Sequence, residues 1–321
     1  MGRHTLSYLK DTNRTFDNIL DSVLLKDPEV SGSSGTNNTG AHLRYEAQGQ
    51  TAIASGTGYG GTDLIIGKGG NGSNYTAANP YAESSTQLYP LGSELVYGDR
   101  KFRYAFMNGA VTAGHLLQQA PLIAHHSQCV ITNADDDGST FSHAAGSTRI
   151  SIETAGDTDL TENQYAEGYL LVNDEAGEGQ LLRIKSHPAH NHGDDPTCII
   201  TTYDALKTAI VKNSSQVVLT LNPYKDVIDA PTAETGAIVG ATVVDMTDDY
   251  YGWIVTHGPA AVLVSSADIV LGHNVMRSVA DAGGVQVMSN DSAGNVQQLV
   301  GTTMAGSVVD TEYAMIMLNI R

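Results

Sequence analysis

Tyr251-Gly-Trp-Ile-Val-Thr256, Ala261-Val-Leu-Val264, Asp268-Ile-Val-Leu-Gly272 and Tyr313-Ala-Met-Ile-Met-Leu-Asn-Ile320, preceded by Gly236-Ala-Ile-Val-Gly240, decide the fold class. Short apolar runs rich in Val, Ile and Tyr and bounded by Gly, Asn, Asp or Pro read as strands joined by tight turns, and helical spacing is absent from them. Alternation in the first run puts Tyr251, Trp253 and Val255 on one face. Glu312-Tyr-Ala-Met-Ile-Met-Leu318 is apolar on both faces, which suits a strand covered on both sides. The last strand is therefore expected to be buried, with another subunit as one cover.

Working back toward the N-terminus, more strands are expected at Gly168–Val172, Gln180–Lys185, Cys198–Tyr203 and Gln216–Leu221. Leu95-Val-Tyr97, Gly98-Asp99 and Arg100-Lys-Phe-Arg-Tyr104 read as a hairpin with a two-residue turn, Phe102 and Tyr104 inward, Lys101 and Arg103 outward. Asp204–Val211 is a minor helical element at most. The strand spacing of about ten residues suits a sandwich or barrel.

The first 86 residues differ in character. Leu6, Leu9, Phe16, Ile19, Leu20, Val23 and Leu24 recur at three- and four-residue spacing before Pro28, predicting a short amphipathic helix within residues 1–30. It either packs on its own domain or docks on a neighbour. Residues 31–86 turn to Gly, Ser, Asn and Thr and read as an extended linker or arm.

The charge balance bounds the partners. Lys and Arg total 17 against 35 Asp and Glu, a formal charge of −18 spread along the 321 residues. Such a surface repels phosphate, so neither nucleic acid nor an anionic membrane is an expected partner. No run approaches the ~18 apolar residues of a membrane span. Met1–Leu6 lacks the apolar core of a signal peptide. Cys129 and Cys198 are too few for a disulfide framework, so stability is expected to come from packing or assembly in a reducing compartment. Fifteen Tyr against four Phe and one Trp hint at rings at surfaces and interfaces.

Candidate chemistry is sparse. Gly61-Thr-Asp-Leu-Ile-Ile-Gly67-Lys68-Gly69 has one residue too many for a phosphate loop, and Gly69 stands where Ser or Thr would meet magnesium. His187, His190 and His192, followed by Asp194 and Asp195, crowd imidazoles and carboxylates together, but at no zinc spacing and in a loop marked by Pro188 and Gly193. Asp135-Asp-Asp-Gly138 lacks the spaced ligands and distal Glu of a calcium loop. Cys129 follows His125 and His126 but reads as a strand thiol. No catalytic, cofactor or metal residue is assigned, and no enzymatic activity is expected.

Three groups of residues carry a resemblance. Gln87–Leu95 with Arg103–Leu117, Gly168–Asp174 with Gly177–Lys185, and Tyr251–Val264 resemble structural proteins of tailed bacteriophages. The C-terminal pattern, with Leu299-Val-Gly301 and Asp310–Tyr313, is similar to that of small capsid decoration, or cement, proteins. The resemblance implies a hairpin at Gly109–Leu116 and a strand at Val239-Gly240. It also implies an all-β chain: a small barrel or sandwich domain from 87–119 with 236–321, a β-rich insertion at 120–235 and the N-terminal helical, Gly-rich arm. As function it implies a protein of the outer capsid surface, assembled in the host cytoplasm, with the major capsid protein and itself, as a homotrimer, for partners. A receptor- or glycan-binding appendage and the major capsid protein itself stand as alternatives.

Overall fold

The computed structural model describes residues 64–66, 78–132, 143–154, 158–193, 197–265, 269–289, 297–306 and 310–320. The chain divides into two compact units, 1–66 and 67–321. Of the first, only strand β1 (Leu64–Ile66) is described. The helix expected within 1–30, most of the 31–86 arm, the rest of the Gly61–Gly69 run and Asp135–Gly138 lie outside the described residues.

The second unit is all-β among its described residues apart from one 3-10 turn. It opens with the hairpin of β2 (Glu94–Tyr97) and β3 (Arg100–Phe106), in which Tyr97 faces Arg100 across a Gly98-Asp99 turn. Gly98 has φ +62°, the left-handed first corner that a type II′ hairpin turn asks of a glycine. Phe102 and Tyr104 are buried and Lys101 is exposed, while Arg103 reaches Glu94 at 2.9 Å on the neighbouring strand. Gly109–His115 forms no hairpin. It is a turn-rich connection, bridged at Val111 to Met246, that feeds β4 (Leu116–Gln118).

A closed six-stranded barrel follows: β5 (Cys129–Ile131), β6 (Arg149–Glu153), β7 (Tyr169–Asp174), β8 (Leu181–Ser186), β9 (Cys198–Thr202) and β10 (Gln216–Thr220), in the order β10-β5-β6-β9-β8-β7. Every pair in it is antiparallel. Alternation sends Leu170, Val172, Leu182, Ile184, Val217 and Leu219 inward, where they fill the barrel with Ile131, Ile150, Ile152 and Ile200. Burial of each such side chain contributes about 1.5–3 kcal/mol, and closure leaves no free edge. Asp204–Val211 runs as bends and coil.

The chain then returns to the sheet through β11 (Ile228–Asp229) and β12 (Ile238–Ala241), which pair with β4. β13 (Tyr251–Leu263), β14 (Asn274–Arg277), β15 (Val285–Val287), β16 (Leu299–Gly306) and β17 (Tyr313–Asn319) complete it, and the main path runs β2-β3-β13-β17-β16-β14-β15. β13 is a single strand of 13 residues, so two of the separate runs read in the sequence are one element. Its first half pairs with β3 and its second with β17. Gly252–Thr256 is buried on both faces. Asp268–Gly272 is not a strand over its described part, Ile269–Gly272, which forms a turn before β14.

The tyrosines build cores as well as surfaces. Tyr104 and Trp253 face each other across β3 and β13 with ring centroids 5.0 Å apart, and Tyr89 lies 5.2 Å from the first and 5.3 Å from the second. Tyr165 is buried in the barrel. Buried phenols keep one polar contact while supplying large apolar area: Tyr104 OH accepts the Leu88 N–H at 3.2 Å.

Candidate docking face

Within the single chain the last strand is covered on one side only. β17 alternates strictly: Ala314, Ile316 and Leu318 are buried, whereas Tyr313, Met315 and Met317 are 45%, 39% and 38% exposed. Cross-strand pairing puts Leu263, Ala261 and Pro259 of β13 opposite these three residues and on the same outward side. On the other flank β16 adds Met304, also exposed. The three strands carry not one Asp, Glu, Lys or Arg in a chain of net charge −18. Beside them Val270 and Leu271 stand exposed at a loop tip that the Gly272 N–H fastens to the Thr303 carbonyl. An uncharged apolar surface on an acidic protein is the candidate docking face of this molecule.

The face runs into a groove of about 580 Å³ lined by Tyr81, Arg100, Ala113, Pro259, Ala261, Tyr313 and Met315 among others. Gly114 makes the wall possible: its φ is +78° and a Cβ there would stand 2.6 Å from the Tyr313 ring. At the mouth, the Arg100 guanidinium carbon lies 5.4, 5.7 and 5.9 Å from the ring centroids of Phe102, Tyr81 and Tyr97, and its Nη2 donates to Tyr81 OH. The outward positions of the hairpin and the last strand carry this site. In the sequence alone the first is a fold element and the second an apolar strand with another subunit as one cover.

His126, His187 and His190 are buried. His187 is buried and both ring nitrogens are engaged by backbone: Nε2 accepts the Tyr165 N–H at 3.0 Å and Nδ1 lies 2.8 Å from the Pro188 carbonyl oxygen. A ring so used has no lone pair left for a metal. His190 is buried with its ring edge-on to His192 at 6.3 Å, and His192 Nδ1 lies 3.1 Å from Thr154 Oγ1. Asp194 and Asp195 lie outside the described residues. His125 is exposed and His126 buried, its Nδ1 2.6 Å from Tyr165 OH. The Cys129 Sγ, buried on β5, lies 3.5 Å from the His126 carbonyl oxygen. Among the described residues no group of three or more His, Cys, Asp or Glu is arranged to hold a metal ion.

Outside the barrel, His115 Nδ1 lies 3.1 Å from Asp229 Oδ2. Gly283 is wrapped so tightly over it that a Cβ would stand 2.3 Å from His115 Nδ1 and 2.5 Å from Asp229 Oδ1. The His115 carbonyl accepts the Thr242 N–H and its own N–H donates to Thr242 Oγ1, so the residue fastens β4 to the chain after β12. That is the geometry of a strap between strands. No family model matches the chain, nor does any curated protein or solved structure.

Proposed function

We propose that this chain is a non-catalytic structural protein of a virus particle, a decoration protein that binds the outer surface of a tailed-phage capsid and reinforces the shell. The observation that carries the reading is the uncharged Tyr313–Met315–Met317 face with its Pro259 and Ala261 neighbours on an otherwise acidic molecule. Docking through such a face desolvates no carboxylate, while the acidic remainder keeps decorated particles apart in solution. Many copies gripping one shell multiply a modest affinity per copy, and a trimer over three-fold positions is the assembly proposed.

The test is electron cryomicroscopy of purified particles made with the native chain and with Met315→Glu/Met317→Glu. The native chain is expected as ordered density on the outer shell with added heat resistance, and the variant is expected to be absent from the particle while remaining folded. Native particles without that density refute the reading. A second reading, a glycan-binding appendage, is favoured by Tyr81 and Tyr97, set edge to face beside Arg100 at the groove mouth. It predicts saturable binding to a glycan array and density at the tail.

A further inference from the structure

We propose that the groove beside Arg100 receives an extended, apolar peptide segment of a partner protein, and that a carboxylate on this segment meets the Arg100 guanidinium. The proposal rests on the docking reading above and names what docks. Arg100 is the one charged side chain in the lining, and no carboxylate lies within ion-pair distance of it among the described residues. In a chain with 35 acidic residues to 17 basic ones, a guanidinium with no carboxylate at ion-pair distance among the described residues is complementary to an acidic group on a partner.

Its geometry is prepared. Three rings surround the guanidinium, and the Tyr81 hydroxyl takes one of its five N–H groups, leaving others for a two-point grip on a carboxylate. Along the groove the walls are Pro259, Ala261, Tyr313, Met315 and Ala113, apolar and partly mobile in shape because methionine adapts to what it touches. A volume of about 580 Å³ falls within the roughly 300–1,000 Å³ of ligand sites. The groove lies along an open sheet face, which suits a chain segment laid across it better than a small amphiphile that needs an enclosing cavity. The partner is thus recognised by one acidic residue set among apolar ones.

A random displayed peptide library selected on the immobilised full-length chain tests this. Recovered sequences are expected to carry one Asp or Glu among apolar residues, and Arg100→Gln is expected to weaken the best peptide about tenfold. Ala261→Glu, at an exposed floor position, is expected to abolish its binding with an unchanged melting temperature. Recovery of no peptide, of peptides lacking an acidic residue, or of peptides indifferent to Arg100→Gln overturns the proposal. So does self-association of the native chain that Ala261→Glu abolishes, since a second copy then fills the groove. The two readings fail separately: particle binding without an Arg100-dependent peptide sinks only this one, and an Arg100-dependent peptide without particle binding sinks only the shell.

Discussion

Tyr165 and His187 are joined backbone to ring: the Tyr165 N–H donates to His187 Nε2 at 3.0 Å, inside the barrel core. Since the Pro188 carbonyl beside Nδ1 can only accept, the proton of this ring sits on Nδ1 and the imidazole is neutral. Burial pushes the His187 pKa down and prevails over the Pro188 carbonyl, which pushes it up, while nearby Lys225 adds to the lowering. His143 repeats the arrangement, its Nε2 accepting the buried Ser151 N–H at 3.0 Å with its pKa also lowered by burial. His126 is lowered by burial first and then by His125, His187 and His190.

Acid sensitivity follows from the sign of these shifts. Below the ordinary histidine value of 6.5 the unfolded chain takes up protons that these three folded-state rings refuse, so their contribution to stability falls as the pH drops below 6.5 and is constant well above it. Melting temperatures from about pH 7.5 to about pH 5 are expected to show this decline before carboxylates titrate near 4. His187→Gln is expected to cost about 1–3 kcal/mol at neutral pH and to flatten the slope. A melting temperature constant over that range contradicts the neutral-core account.

Glu167 clasps barrel to sheet. Its carboxylate accepts the Leu91 N–H at 2.7 Å and Gln87 Nε2 at 3.0 Å, and its carbonyl accepts Asn222 Nδ2 at 3.1 Å. Its φ of +64° is one that a residue with a Cβ adopts at about 1 kcal/mol. Glu167→Ala, which keeps the strain and strands the Leu91 N–H, is expected to cost about 1–3 kcal/mol in urea unfolding. Glu167→Gly is expected to lose less, because relief of the backbone offsets part of the loss. Equal stabilities of the two variants argue against strain at this position.

Much of this architecture is legible in residues that alternate. Leu170 and Val172, or Phe102 and Tyr104, announce an inward face, and Gly98-Asp99 announces the turn between β2 and β3. Four things are not carried by local pattern. The joining of Tyr251–Thr256 to Ala261–Val264 passes through Gly258-Pro259, which reads as a break until β17 is seen pairing with the second half. The barrel closes by β10 meeting both β5 and β7, contacts distant in sequence. The outward face of β17 reads as core because methionine serves equally well in a core and on a docking surface. The groove draws Arg100, Pro259 and Tyr313 from three separate strands, and their meeting is a property of the sheet order alone.

Gly258 allows β13 to serve two partners. The register against β3 slips between Val255 and His257, and there Gly258 has φ +93° with its Cα so close to the hairpin turn that a Cβ would lie 2.4 Å from the Asp99 carbonyl oxygen. Gly258→Ala meets both a left-handed backbone and a clash with backbone that cannot step aside, and is expected to cost about 2 kcal/mol or more. Equilibrium denaturation checks it, with Gly272→Ala as comparison: Gly272 has φ +82° but open space around it, so it suffers the backbone penalty alone. A Gly258 variant no less stable than the Gly272 one contradicts the close approach.

The turn at Ile269–Gly272 separates two readings of one segment. In a strand, Ile269 and Leu271 share a face and a fate. Here Ile269 is 2% exposed and Leu271 is 64% exposed. Ile269→Ser is therefore expected to lose about 3 kcal/mol, from the lost burial and the stranded hydroxyl. Leu271→Ser is expected to stay within about 0.5 kcal/mol of the native chain. Thermal unfolding of the two single variants decides the matter: comparable losses at both positions restore the strand and bury the loop tip, whereas the predicted asymmetry leaves Leu271 free to extend the apolar docking face.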